Sequence, residues 1–400
     1  MASDRLAKRT PPDNTFNQIL ELGLSVTRTL AIDGLRLTPP RTAMGRYLEV
    51  MLGRWGRAET PFDQIVVFCR RRADLNGLDF TGNVRAEVLA AGLHAALWQQ
   101  FALPAAAKKF SLLFSPSYAC PILHPGPVVL ASHGIYENIP DEFGRLARLR
   151  ATPVNRLSAR RADRVIANSK ATRTDLVSTF GVDGGKIDVV YPAAADIFFE
   201  RHNAADVSAE VRKVFGHEAP YLIFVGKLSK RRNVPNLIDA FARVRAAERL
   251  PHNLLVVGSG SDGPRVKDLA RRAGVSESVR YLPHLNHSIL ARLYAGADLF
   301  VLPTLQEGIS WTTFEAMASG TAVLTVEHRS LAEGAGDTAF SVASPSVTDL
   351  AEGMRAMLTD ESLRRRYAER GLQRVREFSW DRAAARTMEI LNKAARPADL

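Results

Sequence analysis

The hydrophobic pattern divides the chain into short apolar runs separated by longer stretches of mixed polarity. Short apolar runs bounded by turn residues are typical of strands buried in a parallel sheet. In the first half, the pattern predicts strands over Thr29–Asp33, Gln64–Cys69, Phe110–Phe114, Pro127–His133 and Arg164–Asn168. In the second half, it predicts strands over Tyr221–Val225, Asn253–Val257, Val279–Pro283, Leu299–Leu302 and Ala322–Val326.

Predicted helices alternate with these strands, which indicates an α/β fold with parallel sheets. They cover Ala43–Leu52, Ser169–Phe180, Val234–Ala246, Ser288–Tyr294, Val347–Leu358, Glu361–Arg374 and Asp381–Lys393. The polar run Arg201–Pro220 is predicted to be a linker. We therefore expect two Rossmann-like, doubly wound domains facing a central cleft, over residues 1–200 and 201–380. The C-terminal helix, within residues 381–400, is expected to pack back toward the first domain.

Composition indicates a soluble globular protein, with 46% hydrophobic and 24% charged residues. The polar start, Met1–Pro12, lacks the apolar centre of a signal peptide, and no apolar run is long enough for a membrane span. Two cysteines, Cys69 and Cys120, are too few for a disulfide framework. The expected location is the cytoplasm.

The net charge of +11 favours anionic partners. The densest basic cluster contains Arg145, Arg148, Arg150, Arg156, Arg160, Arg161 and Arg164. We interpret it as a solvated helical face, with a docking patch for the anionic inner face of the membrane as the alternative. Nucleic acid is not an expected partner, because no nucleic-acid-binding motif accompanies the charge.

Two glutamates, Glu307 and Glu315, lie in the most informative segment, Thr304–Gly320. The segment follows an apolar strand and continues as a short helix predicted over Trp311–Ser319. Glu307 then lies in the loop and Glu315 about a turn into the helix. Between them are the unpaired N–H groups of the helix start, which suit a phosphate or sugar oxygen. The segment therefore predicts a site for a sugar nucleotide.

Two further loops follow predicted strands of the second half. The loop Gly226–Pro235 carries Lys227 and Arg232, whose charges could neutralise a leaving diphosphate. The loop after the next strand contains Gly258 within a formal GxGxxG pattern. The strand that should end in a ribose-binding acid ends instead in Tyr281–His284. We interpret the glycines as a turn that lets the backbone approach a ligand, and not as a dinucleotide-binding fingerprint.

The sequence predicts no metal site and no cofactor. The nine histidines show no metal-ligand spacing, and Asp-x-Asp, which could chelate a metal on a nucleotide diphosphate, is absent. Protein cations and helix ends would then carry the charge of the diphosphate. His133 ends an apolar strand, and its ring is expected to project into the cleft.

At this point the chain resembles the retaining glycosyltransferases of family 4, which have the GT-B architecture. The resemblance covers about Thr29 to Leu391 and rests on several motifs together. They are the E-x7-E pair Glu307 and Glu315 followed by Ala316–Gly320, the loop Gly226–Asn233, the segments Ala162–Ser169 and Lys186–Pro192, and the turn Ser330–Asp337.

The resemblance implies particular roles. Glu315 would hold the donor ribose and Glu307 the transferred sugar, while Lys227 and Arg232 would stabilise the leaving diphosphate and His133 would lie near the donor sugar. Gly45 would fall on the glycine-rich loop of the first domain. Further donor contacts are expected at Gly226, Gly258, Pro283, Ser310, Trp311 and Thr312.

The implied reaction is metal-independent transfer of a hexose, such as mannose, with retention, from a nucleotide-diphosphate sugar to a glycan or lipid-linked acceptor. Cell-surface polysaccharide assembly is the expected setting. The sequence departs from the family pattern at Thr42 and Ala43, where glycines are usual, and at Ser310–Thr312, where the family has Gly-Leu-Pro. The alternatives are a sugar-nucleotide epimerase and a basic binding protein with a degenerate site.

Overall fold

The computed structural model describes residues 27–39, 41–135, 145–260 and 263–396. The start of the chain, on which the signal-peptide argument rests, lies outside the described residues. In the described part of the chain, no helix combines the length and apolar character needed to cross a bilayer.

Seven parallel strands form the sheet of the first domain, in the order β3-β2-β1-β4-β5-β6-β7. The strands are β1 (Thr29–Asp33), β2 (Gln64–Cys69), β3 (Val84–Val88), β4 (Leu112–Ser115), β5 (Val128–Ser132), β6 (Arg164–Ala167) and β7 (Ile187–Val189). The helices are α1 (Ala43–Trp55), α2 (Ala95–Leu97), α3 (Leu103–Ala107), α4 (Arg145–Arg161) and α5 (Lys170–Asp175). Both faces of this sheet are covered: Leu30 and Ile32 belong to one buried cluster, and Ala31 belongs to another.

Six parallel strands form the second sheet, in the order β10-β9-β8-β11-β12-β13. They are β8 (Tyr221–Val225), β9 (Asn253–Val257), β10 (Val279–Leu282), β11 (Leu299–Leu302), β12 (Val323–Val326) and β13 (Phe340–Val342). The accompanying helices are α6 (Ala204–Phe215), α7 (Val234–Glu248), α8 (Val266–Arg272), α9 (His287–Ala295), α10 (Trp311–Ala318), α11 (Arg329–Ala335), α12 (Val347–Thr359) and α13 (Glu361–Val375).

The strand order reverses once in each sheet, between β1 and β4 and between β8 and β11. In open parallel sheets, the loops at the carboxyl ends of such neighbours diverge and leave a crevice for a ligand. In the second sheet these loops are the ones that carry the predicted cations and the glutamate pair. The topology therefore brings together segments about 75 residues apart in sequence, as the contacts between Arg231 and Glu307 show.

The last helix, α14 (Trp380–Ala394), belongs to the core of the first domain. Trp380, Ile390 and Leu391 are buried there with residues of α1 and of the sheet. The Trp55 indole N–H donates to the Ala384 carbonyl at 3.1 Å. The chain thus returns to the first domain after completing the second.

Most predicted strands and helices form within a few residues of their predicted bounds, but four predictions need correction. The predicted linker contains helix α6, which Asn203 caps and Gly216 ends in a left-handed conformation. The Ser330–Asp337 turn is mostly helix α11. The predicted helix Ser169–Phe180 is capped by Ser169 but widens into a π-helix over Leu176–Phe180. The pattern also missed β3, β7 and β13, which are partly exposed and contain polar residues.

Candidate active site

Hydrogen bonds connect two loops at the carboxyl end of the second sheet. The turn Lys230–Arg232 follows β8, and the loop Pro303–Ser310 follows β11. The Arg231 carbonyl accepts hydrogen bonds from the Leu305 N–H at 2.7 Å and the Thr304 hydroxyl at 3.1 Å. These bonds fix the cationic turn against the loop that carries Glu307.

Glu307 is buried between two arginines of this turn. Its carboxylate contacts Arg232 and, at 3.4 Å, Arg231, and all three side chains are at most 9% exposed. Burial by itself would raise the pKa of Glu307, but Arg232 and Arg231 outweigh it, so the pKa lies below its usual value. The Gly308 N–H also donates to this carboxylate at 3.3 Å. Glu307 is therefore an ionised hydrogen-bond acceptor with limited freedom to move.

Glu315 lies in α10, whose start is capped by the Ser310 hydroxyl, which accepts from the Thr313 N–H at 3.2 Å. The carboxyl is 4% exposed. Tyr294 donates to it at 3.4 Å, and Arg46 of the first domain lies 3.7 Å away. Burial raises the pKa of Glu315 to about 6, with Arg46 and Tyr294 opposing it. The two glutamates thus have opposite pKa shifts.

His133 faces the second domain from the end of β5, as the sequence predicts. Its ring packs edge-on against Tyr47 at 4.9 Å and against the Trp311 indole at 5.7 Å. Burial lowers the pKa of His133 to about 3, so the imidazole is neutral at physiological pH. A neutral ring can accept or donate one hydrogen bond at the cleft without bringing a charge.

Trp311 connects the two domains. Its indole contacts Trp380 at 5.2 Å in addition to His133, and it packs against the hydrophobic cores of both domains. The carbonyl of the neighbouring Thr312 lies 3.4 Å from the Tyr294 hydroxyl. The segment Ser310–Thr312, where the family has Gly-Leu-Pro, therefore places an aromatic ring between the two domains.

Lys227 and Gly226 lie beside the arginine turn, and Lys227 is exposed. The Gly226 N–H donates to the Val257 carbonyl at 3.0 Å. Pro283 is exposed in the loop after β10. All three positions follow the carboxyl ends of strands, at the same end of the sheet as Glu307.

At two glycines the backbone of the chain leaves no room for a side chain, and one of them, Gly45, does not lie in the expected loop. A Cβ on Gly258, at φ of 154°, would lie 1.8 Å from the Gly226 carbonyl oxygen. A Cβ on Gly45 would lie 2.3 Å from the Arg36 carbonyl oxygen. Gly45 is also within α1 and not in a loop. The close approach in both places is to the protein's own backbone.

Residues that sequence reasoning missed are Arg46, Tyr294 and His287. Their importance depends on contacts between α1 and α9 or α10, which lie more than 200 residues apart in sequence, as the Arg46–His287 contact shows. No local pattern signals such a contact.

Within the residues that the structure describes, no group of three or more His, Cys, Asp or Glu side chains could hold a metal ion. Positive charge at the site comes from Arg231 and Arg232, which contact Glu307 in the loop before α10, from Lys227 in the loop of these arginines, and from Arg46 beside Glu315. This arrangement can bind an anionic group beside two carboxylates that accept hydroxyl groups.

Comparisons with known proteins agree with this architecture. The model of the glycosyl transferases group 1 matches residues 207–374, and that of glycosyltransferase family 4 matches residues 63–194. The chain is 31% identical over 241 residues to the D-inositol 3-phosphate glycosyltransferase of Nocardia farcinica, and 32% identical over 250 residues to that of Salinispora arenicola. Each alignment covers 58% of this chain, and 53% and 55% of those proteins, so the chain spans about half the length of these relatives.

Solved structures show the same fold. WaaG, a glycosyltransferase involved in lipopolysaccharide biosynthesis, superposes with a TM-score of 0.72 at 19% identity, over 90% of this chain and 99% of WaaG. HepE of Anabaena, solved with UDP and glucose, gives 0.72 at 18% identity, over 92% of this chain and all of HepE. The glycosyl transferases group 1 model therefore matches the second parallel-sheet domain and the glycosyltransferase family 4 model matches the first, and the chain has the GT-B fold of the solved glycosyltransferases.

Proposed function

We propose that the protein is a retaining, metal-independent hexosyltransferase that uses a nucleotide-diphosphate sugar. The observation that carries this proposal is the buried cluster of Glu307 with Arg231 and Arg232, in the loop that precedes the helix carrying Glu315. The relatives are glycosyltransferases by name, and HepE has been solved with UDP-glucose. The proposed acceptor is a glycan or lipid-linked sugar of a cell-surface polysaccharide.

Each group has a role that follows from its surroundings. Lys227, Arg231 and Arg232 stabilise the charge that develops on the leaving diphosphate. Glu307, held ionised by its arginines, accepts hydrogen bonds from the transferred sugar. Glu315 accepts the ribose hydroxyls. Neutral His133 contacts the sugar from the first domain, and the acceptor attacks from the face that the diphosphate leaves.

Acceptor-dependent release of nucleoside diphosphate tests the proposed activity. A panel of UDP-, GDP-, ADP- and TDP-sugars in a thermal-shift assay first identifies the donor. Transfer predicts that nucleoside diphosphate accumulates only when an acceptor is added. Conversion of the donor without acceptor would indicate an epimerase, and donor binding without turnover would indicate a binding protein.

Two variants distinguish the roles of the glutamates. Glu315→Ala should weaken nucleotide binding by about 1.5–3 kcal/mol for each hydrogen bond lost, because a charged acceptor is removed. Glu307→Ala should reduce turnover more than it reduces binding of free nucleoside diphosphate. The exposed Glu352→Ala on α12 is the matched control and should behave as wild type. Unchanged nucleotide affinity of Glu315→Ala would contradict its assignment.

Activity in EDTA tests the proposal that the reaction needs no metal. The cations of the Lys227–Arg232 loop supply the charge that a metal would otherwise bring to the diphosphate. We expect full activity after chelation. Loss of activity in EDTA with recovery on addition of Mg²⁺ or Mn²⁺ would contradict this part of the proposal.

We also propose reversible docking to an anionic membrane at the inner face, where a lipid-linked acceptor would lie. Several of the clustered arginines bond within the fold: Arg156 and Arg160 donate to the Phe180 carbonyl, and Arg164 contacts Asp188. The surface that favours docking is instead the region of Leu97 and Phe101, which are 50% and 64% exposed.

Exposed basic residues follow this helical segment in the sequence. Lys108 and Lys109 are exposed after α3, and Leu123 is 82% exposed. Gln100 bonds to Cys120 and Ile122 and so holds the Leu123 loop against the helical segment. Apolar side chains flanked by lysines suit the interface of an anionic bilayer.

Co-sedimentation with vesicles tests the docking proposal. Wild type should sediment with anionic vesicles at low salt and be released at high salt, because the attraction is screened within about 8 Å at physiological salt. Leu97→Ser/Phe101→Ser should reduce sedimentation, whereas Val177→Ser, at another exposed apolar position, should not. Wild-type protein that stays in the supernatant at low salt would contradict docking.

A further inference from the structure

Arg46 belongs to the first domain, but its guanidinium group lies in the donor site of the second. It projects from α1 to within 3.7 Å of the Glu315 carboxylate and 3.1 Å of the His287 imidazole. Its Cζ lies 5.7 Å from the centre of the Trp311 ring. Three side chains from α9 and α10 thus surround one arginine from across the cleft.

Arg46 acts on Glu315 through its charge, but it forms its hydrogen bond with a different residue. At 3.7 Å, its nearest nitrogen is beyond hydrogen-bond distance from Glu315, so it attracts the carboxylate without occupying the lone pairs. Its short contact is with His287. Burial, together with Arg46, lowers the pKa of His287 to about 4, so the neutral ring can accept from the guanidinium. His287 therefore orients Arg46 and leaves the oxygens of Glu315 available to a ligand.

Glu315 needs a nearby positive charge to act as a strong acceptor. Burial favours its neutral form, Arg46 favours the ionised form, and Tyr294 donates one hydrogen bond to it. An ionised carboxylate forms hydrogen bonds about twice as strong as those of a neutral acid. Loss of Arg46 would shift Glu315 toward its weaker, protonated form.

We propose that Arg46 is a positioning residue that sustains the ribose-binding carboxylate of Glu315 from the opposite domain. The inference rests on the proposed function, since it requires that Glu315 bind the donor ribose. Because α1 and α10 belong to different domains, this support exists only when the cleft is closed. Donor affinity is thereby coupled to domain closure through one side chain.

A double-mutant cycle between Arg46 and Glu315 tests the proposal. Calorimetry would use the tightest binder among UDP-glucose, GDP-mannose, ADP-glucose and TDP-glucose. Arg46→Met should weaken binding about tenfold, which corresponds to about 1.4 kcal/mol. In the Glu315→Gln background, Arg46→Met should cause no further loss, because its effect passes through the carboxylate. Arg46→Lys, which keeps the charge, should recover part of the affinity.

Arg54 provides a matched control. It lies on the same helix and also forms ion pairs, with Asp381 at 2.7 Å and Asp196 at 3.5 Å, but it does not contact the site. Arg54→Met should bind the nucleotide sugar as wild type does. Equal losses in Arg54→Met and Arg46→Met, additive losses in the cycle, or wild-type affinity of Arg46→Met would overturn the inference. Wild-type protein that binds none of the four nucleotide sugars would instead contradict the proposed function.

Discussion

At the residue scale, the site contains two buried carboxyl groups whose surroundings differ in the amount of positive charge. Glu307 has two guanidinium groups in contact, all nearly inaccessible to water. Glu315 has one guanidinium at a longer distance, and that arginine is 28% exposed. Removal of the Glu307 carboxylate should therefore affect stability differently from removal of the Glu315 carboxylate.

Glu307→Gln should lower the free energy of unfolding by about 3–5 kcal/mol, because Arg231 and Arg232 would lose the buried carboxylate that contacts both of them. Urea unfolding at pH 7 measures the loss. The variant Glu327→Gln is the control. Glu327 is exposed, so this variant should unfold as wild type does. A Glu307→Gln protein as stable as wild type would show that the arginines find other partners.

Glu315→Gln should have the opposite effect on stability. The pKa of Glu315 is about 6 in the fold against a usual value of 4.5, so its ionisation opposes folding. The cost is fully present above pH 6, shrinks as pH falls, and disappears below about pH 4.5. The shift corresponds to about 2 kcal/mol, so the variant should be more stable than wild type by up to that amount at pH 7. Unfolding at pH 7 and pH 4.5 measures the difference, and a stabilisation that does not diminish at the lower pH would contradict the assignment.

At the element scale, the site depends on how closely neighbouring loops pack. The Gly258 loop after β9 contacts the Gly226 loop after β8 so closely that a side chain between them is excluded. The Leu228 N–H also donates to the Ser259 carbonyl at 2.9 Å. The position of the Lys227–Arg232 loop is therefore set in part by the backbone of the adjacent loop after β9.

Gly258→Ala should displace the Lys227–Arg232 loop, because its Cβ would meet the Gly226 carbonyl at 1.8 Å. We expect lower stability and weaker binding of nucleoside diphosphate. Gly53→Ala is the control, since its Cβ meets nothing within 4 Å and it lies within helix α1, where alanine is favoured by about 1 kcal/mol. Thermal unfolding and calorimetry compare the two. Wild-type affinity in Gly258→Ala would show that the loop adapts.

At the scale of the whole molecule, the two domains are joined through several kinds of contact. Glu333 of the second domain accepts hydrogen bonds from the Lys170 and Ala171 N–H groups at the start of α5, and from Tyr191 at 2.6 Å. The Ser169 hydroxyl donates to the Gly308 carbonyl at 2.9 Å. These bonds hold α11 and the loop Pro303–Ser310 against the first domain. The return of the chain to α14 is a second covalent connection between the domains.

Leu391→Ala should destabilise the first domain more than the second. Leu391 is fully buried against the first-domain core although it follows the second domain in sequence. The loss should be about 2–5 kcal/mol. Hydrogen exchange should show the greater loss of protection in β1, β4 and β5, whereas Leu237→Ala should act mainly on β8 and its neighbours. The same exchange pattern in both variants would show that the domains unfold as one unit.

Local sequence patterns are sufficient to predict most strands and helices and the charged loops that follow them. Apolar runs such as Tyr221–Val225 are strands because burial on both faces of a parallel sheet requires continuous hydrophobicity. Continuous hydrophobicity does not identify edge strands. In β3, the apolar residue Val84 is followed by the charged residues Arg85 and Glu87, because one side of this strand faces water. The family resemblance and the positions of Glu307 and Glu315 were also available from sequence.

The pairing of charged side chains, in contrast, depends on the three-dimensional fold. The strand order reverses between β8 and β11, and this reversal places Arg231 and Arg232 on Glu307. Closure of the two domains brings Arg46 to Glu315. Burial and Coulomb interactions depend on distances in space, so the opposite pKa shifts of the two glutamates could not be read from their spacing. The close approach of Gly258 to the backbone of the Gly226 loop likewise depends on the fold and not on the local sequence pattern.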